Sequence, residues 1–136
     1  MNAEQSAIIT ALGQASKGLL FPSESDYPFE PFLWEDKADR KLTPEGLLAE
    51  KGYPPNTPVK TLTLTRFFQP ATKEEAWHNT EERKTVRRFQ ELVKTLKQRL
   101  SGITVFKVGQ ITMDVYVVGK TKTGDLAGLA TKVVET

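Results

Sequence analysis

His78 is the single histidine among 136 residues, and there is no cysteine. The side chains that most often bind zinc or form a nucleophile–base pair are therefore nearly missing, and the usual tetrahedral ligand set cannot be assembled. Gly119-Lys120-Thr121 echoes the end of a phosphate loop. Such a loop needs a glycine five residues earlier, so that backbone N–H groups can cradle the phosphates, and Asp114 stands there. A serine–histidine–aspartate arrangement would have to use His78, yet no nucleophile motif marks a serine for it. Many carboxylates are present, but nothing in their spacing selects two as an acid–base pair. The residue types point away from catalysis, and no cofactor or resident metal is expected.

The densest chemical signal is cationic: Arg83, Lys84, Arg87, Arg88, Lys94, Lys97 and Arg99 crowd one segment. At about 100° per residue, Val86, Phe89, Leu92, Val93, Leu96 and Leu100 fall within roughly 60° of Phe89. Arg83, Lys84, Arg87 and Lys94 lie about 120° to 160° away on the same wheel. The Arg83–Arg99 face is either a nucleic-acid patch or the solvated side of an amphipathic helix, with Glu91 spaced to pair with Arg87 and Lys94. No recognition-helix pattern or glycine–aromatic interleaving accompanies it, so the solvated face is the better account and nucleic acid is not the expected partner. Trp77 lies about 120° from Phe89 if the helix is continuous. It is then a large aromatic off the core stripe, a candidate interface anchor. Alternatively the helix breaks at Asn79-Thr80 and Trp77 packs under the preceding loop; periodicity does not separate the two. Glu74, Glu75, Glu81 and Glu82 around it suit a cationic partner or simply a helix N-terminus.

The elements that must position these residues follow from patterning. Ala7, Ile8, Ala11, Leu12 and Ala15 recur at helical spacing, and Gly18 is placed to end that helix. Leu19 to Phe29, with two prolines and two serines, reads as an ordered loop, and Phe29 to Trp34 as a strand leaving it. Thr43-Pro44-Glu45 predicts an N-cap and a short helix to about Lys51. Pro54, Pro55 and Pro58 mark a linker, and Val59 to Thr65 alternates as a strand with Leu62 and Leu64 on one face. Thr72-Lys73-Glu74-Glu75 matches a capping box, predicting a long helix to about Leu100. Ile103–Val108, Thr112–Val118 and Leu126–Val134 are strand candidates, the last two joined by a turn at Lys120–Asp125. Val115 to Val118 is apolar on both parities, as for a strand covered on both faces. One α/β domain over residues 1–136 is expected, a three-layer α/β/α sandwich with a mixed, mainly antiparallel sheet.

Composition agrees with that scale: 38% hydrophobic and 26% charged residues allow a core and a soluble surface. The absence of cysteine fits a reducing compartment. No secretion signal or membrane-spanning run is legible, so a cytoplasmic protein without a membrane partner is expected. The formal net charge is +2 and the pI about 8.8, with the basic excess in the second half of the chain.

Several segments resemble the nuclease A inhibitor family, small proteins that block a sugar-non-specific ββα-metal nuclease. They are Ala15-Ser16-Lys17-Gly18-Leu19-Leu20-Phe21, Ser23-Glu24-Ser25-Asp26-Tyr27-Pro28-Phe29, Phe32-Leu33-Trp34-Glu35, Asp114-Val115-Tyr116-Val117-Val118-Gly119, Leu126-Ala127-Gly128 and Thr131-Lys132-Val133-Val134-Glu135-Thr136. They occur in order over nearly the whole chain. The resemblance implies an α/β/α sandwich and a monomer that binds a non-specific Mg-dependent DNA/RNA endonuclease one to one. By the same resemblance Glu24, Trp77 and the C-terminal Thr136 meet the nuclease active site, with Glu24 and Thr136 near its magnesium. Asp26 and Glu135 would add to an acidic rim. The chain departs from the family pattern after the tryptophan, where His78-Asn79-Thr80-Glu81-Glu82-Arg83-Lys84 is less acidic. Either the basic helix face points away from the partner, or the partner differs, or inhibition has been lost.

Overall fold

The computed structural model describes residues 2–22, 26–35 and 42–135. In chain order the elements are α1 (Ala3–Ser16), β1 (Glu30–Trp34), α2 (Pro44–Lys51), β2 (Val59–Leu62), α3 (Leu64–Thr72), α4 (Thr80–Arg99), β3 (Ser101–Gly109), β4 (Thr112–Lys120) and β5 (Leu126–Val134).

Local chemistry accounts for most of the boundaries. Asn2 caps α1 through a reciprocal pair with Gln5, each side chain accepting from the other's backbone N–H at 2.9 Å. The helix stops at Gly18, whose φ of 76° is left-handed and costs glycine little. Thr43 caps α2 by accepting from the Gly46 N–H at 3.0 Å, Pro44 occupies the first turn, and Gly52 closes it at φ 73°.

Two expectations are corrected. The strand at Val59 stops at Leu62, because Thr63 caps a new helix by accepting from the Arg66 N–H at 3.1 Å. Leu64, Phe67, Phe68 and Ala71 are all buried, a helical repeat in place of the strand alternation. The long helix does not start at Thr72. The Thr72 hydroxyl donates back to the Phe68 carbonyl at 3.0 Å, so it belongs to the end of α3. Asn79 and Glu82 instead form the capping box of α4, at 2.8 and 3.0 Å.

The strands make one sheet in the order β1-β5-β4-β3-β2, and every neighbouring pair is antiparallel. The mixed sheet is therefore also corrected. Short turns join β3, β4 and β5 and force them antiparallel, while β1 and β2 arrive from the other half of the chain at the two edges.

Successive strand residues point to opposite faces. Val105, Met113, Val115, Val117, Ala127, Leu129 and Val133 share one buried cluster with Ile8 and Leu12 of α1, Phe67 and Phe68 of α3, and Phe89, Leu92 and Leu96 of α4. Each of these side chains larger than Ala127 contributes roughly 1.5–3 kcal/mol by leaving water. Residues of the other parity, Phe106, Val108, Val118 and Leu126, form a second cluster with Leu47 and Leu48 of α2. Among the described residues no helix is long and apolar enough to cross a membrane.

Candidate docking surface

Trp77 sits in the turn between α3 and α4, and its side chain is 72% exposed. The turn is closed twice. The His78 N–H donates to the Glu75 carbonyl at 3.1 Å, and the Glu75 N–H donates to His78 Nδ1 at 3.0 Å. His78 also meets the indole edge-on, with ring centroids 4.3 Å apart. The single histidine thus holds a turn whose outer residue is tryptophan. The break at Asn79-Thr80 is present, but Trp77 does not pack under the preceding loop; it projects into solvent.

The loop from Leu20 to Pro28 closes on itself through an isolated antiparallel bridge between those two residues. Leu20 and Pro22 line a cleft of about 320 Å³ with Pro70, His78, Val86 and Phe89, which places the loop beside the tryptophan turn. Behind it lies a set of phenylalanines. Phe21 stacks on Phe67 at 4.3 Å, and Phe29 meets Phe68 and Phe89 at 6.0 and 6.2 Å. Aromatic pairs of this kind add about 0.5–1.5 kcal/mol beyond area burial. The far arm of the loop is held by Thr131 of β5, whose hydroxyl donates to the Pro28 carbonyl at 2.9 Å.

Beyond β5, the Glu135 N–H donates to the Ile111 carbonyl at 2.9 Å, so the chain stays laced to the β3–β4 turn. The Glu135 carboxylate pairs with Lys107 at 2.6 Å, and the Lys107 ammonium lies 5.9 Å from the Phe67 ring centre. His78 meets Trp77 and shares the cleft with Pro22, while Phe21, Phe67, Lys107 and Glu135 are linked in turn. Trp77 precedes α4 and Glu135 follows β5, while Asp26 adjoins Tyr27, which lines a pocket with Asp114, Tyr116 and Lys132 on the α2 side of the sheet. Asp26 is exposed. Glu135 is already partnered, so its charge is partly offset by a nearly buried lysine. Glu24 and Thr136 lie outside the described residues.

The acids around Trp77 are largely engaged. Glu74 pairs with Arg83 at 3.5 Å, Glu75 with Lys73 at 3.6 Å and Glu81 with Lys84 at 3.5 Å, while Glu82 caps α4. Exposed pairs of this kind contribute roughly 0.2–1 kcal/mol at most; their effect here is to neutralise Arg83 and Lys84 beside the tryptophan. The remaining cations behave as a solvated helix face: Arg83, Lys84, Arg87 and Lys94 are exposed, and Val86, Phe89, Leu92 and Leu96 are buried. Arg88 donates to the Ala15 carbonyl at 3.4 Å, tying the end of α1 to α4.

On the α2 side of the sheet a polar cluster had no sequence signal, because its members are far apart in the chain. The Tyr53 hydroxyl donates to Asp114 at 2.5 Å and touches the Tyr116 hydroxyl at 2.8 Å. Tyr53 has one proton to give, so Tyr116 donates to it. Burial first, then the bonds to Asp114 and Tyr116, push the Tyr53 phenol well above its ordinary 10.0. Sequence reading also passed over Leu20, Tyr27, Ile111 and Lys107. The first three are apolar residues in turns, a signal visible only once the turns are placed.

An α/β scaffold with a tryptophan exposed on a closed turn offers a candidate anchor for a protein partner. The chain belongs to the nuclease A inhibitor-like protein family, whose model matches residues 6–136. No curated protein gives a match.

Proposed function

We propose that the protein is a stoichiometric inhibitor of a non-specific, Mg-dependent DNA/RNA endonuclease of the ββα-metal type. It acts by binding one to one as a monomer in the cytoplasm, without turnover. The observation that carries the reading is Trp77, 72% exposed on a doubly closed turn in a chain that matches the family over residues 6–136. In this reading the whole chain is one domain, and α2 on the reverse of the sheet completes a three-layer α/β/α sandwich.

A nuclease of that class holds phosphate with a magnesium ion and basic side chains. Carboxylates are hard oxygen donors and resemble phosphate oxygens to such a site. Glu24 on the loop and Thr136 after β5 supply them, Trp77 fills an apolar recess at the rim, and Asp26 contributes to the field that steers association. Glu135, paired with Lys107, adds to the same acidic rim.

The test is a titration. Plasmid DNA is digested by a ββα-metal nuclease at fixed magnesium while untagged protein is added. Activity should fall linearly to zero near one equivalent, and Glu24→Ala should weaken binding by about 2–4 kcal/mol, the range of an interface hot spot. Undiminished activity at large excess, against several nucleases of the class, removes the reading.

A further inference from the structure

We propose that Ile111, at the β3–β4 turn, is a second apolar anchor for the partner. The docking surface then spans the end of the sheet from Trp77 to Ile111 and is not confined to the Leu20–Pro28 loop and the last residues. The inference rests on the nuclease-inhibitor reading and names a contact which that reading lacks.

Four large apolar side chains stand exposed among the described residues: Trp77 at 72%, Ile111 at 59%, Leu20 at 44% and Tyr27 at 37%. Single exposed apolar residues are ordinary and are expected to scatter. These do not. Leu20 and Tyr27 belong to the bridged loop, Trp77 to the turn beside it, and Ile111 to the turn that receives the Glu135 N–H. They lie toward the end where β4 begins and β5 finishes, Leu20 and the Trp77 turn on the α4 side of the sheet and Tyr27 on the α2 side, against Asp114 and Tyr116. Exposed apolar groups that recur toward one end, on either side of the sheet edge, are candidates for an interaction surface.

Ile111 has no part in the fold that would explain it. It belongs to neither buried cluster. It also occupies a turn, where glycine, asparagine, aspartate or serine serve the backbone better than a β-branched residue. The turn itself is fixed. The Gly109 N–H donates to the Pro58 carbonyl at 2.9 Å, and Gly109, at φ 118°, has the Thr112 carbonyl oxygen only 2.8 Å from where a Cβ would stand. An anchor on so constrained a turn loses little freedom when it is covered, so its burial converts efficiently into affinity. The bond from Glu135 to the Ile111 carbonyl makes the anchor and the end of β5 one unit. A partner that engages the residues after β5 therefore meets Ile111 beside them. The expected occupant is an apolar shelf next to the nuclease's phosphate cleft.

The experiment compares wild type, Ile111→Ser, Ile111→Thr and Lys122→Ser for inhibition of the nuclease and for thermal unfolding. Lys122 lies in the β4–β5 turn at the opposite end of the sheet and serves as control. Ile111→Ser should bind at least about tenfold more weakly, with unfolding unchanged and Lys122→Ser unaffected. Ile111→Thr keeps the branched shape and backbone preference, and should still lose affinity. Wild type that inhibits while both Ile111 variants bind as tightly overturns this inference alone. Equal losses in Ile111→Ser and Lys122→Ser overturn it as well. Wild type that inhibits no nuclease removes the functional reading, and this one with it.

Discussion

Trp77 owes its exposure to its neighbours in the turn. His78 spends its Nδ1 on the Glu75 N–H, and Asn79 turns the chain into α4, leaving the indole no apolar wall except the edge of an imidazole. A side chain so exposed contributes little to folding. Trp77→Ala should therefore weaken nuclease binding by about 2 kcal/mol or more while leaving the unfolding temperature where it was. Calorimetry on the free protein and inhibition titrations on the pair separate the two effects. Tyr53 is the opposite case, a residue whose chemistry serves the fold. Its phenol is held above its ordinary 10.0, so the folded chain keeps a proton that the unfolded chain releases. The contribution is whole below that value and is lost as pH rises beyond it. Urea midpoints taken from about pH 9 to about pH 12 should fall more steeply for wild type than for Tyr53→Phe. Parallel curves would mean that Tyr53 ionises freely in the native state.

At the scale of elements, capping chemistry was readable and the choice between rival caps was not. Thr72 with Glu75 and Asn79 with Glu82 match the capping-box pattern equally well. What decides is that Leu64, Phe67, Phe68 and Ala71 bury together and draw Thr72 into the end of α3. The alternation of Leu62 and Leu64 suggested a longer strand for the same reason, since two points cannot distinguish a period of two from the first step of a helix. The three last strands were legible because their apolar runs are long and their turns short. Gly128 shows what no pattern announces. A Cβ there would lie 1.6 Å from the Val117 carbonyl oxygen, so β4 and β5 approach closely only because the side chain is missing. Gly128→Ala should cost at least about 2 kcal/mol, since it forces two central strands apart. An unchanged denaturation midpoint would show that the strands part easily.

For the whole molecule, the proposed docking end draws on the Leu20–Pro28 bridge, the Trp77 turn, the Ile111 turn and Glu135. Their convergence follows from the strand order and cannot be seen in any one stretch. Trp77 stood out because it fell off a helical stripe, although the helix that made the stripe begins three residues later. Ile111 and Leu20 looked like ordinary turn residues until the turns were brought together. Glu24 and Thr136 rest on resemblance to the family, because a loop acid and a last residue carry no physical signature of their own.

The strand order also governs when the fold can be completed. β3, β4 and β5 are successive hairpins, and α4 immediately precedes them, so the second half of the chain is rich in local pairings that close quickly. Among the described residues β1 has no strand neighbour except β5, with Glu30 set against Ala130. During synthesis β1 is therefore made well before its partner and stays unpaired until β5 has emerged. Its apolar residues Phe32, Leu33 and Trp34 wait through that interval, and the edge strand cannot dock until the translating ribosome has released β5.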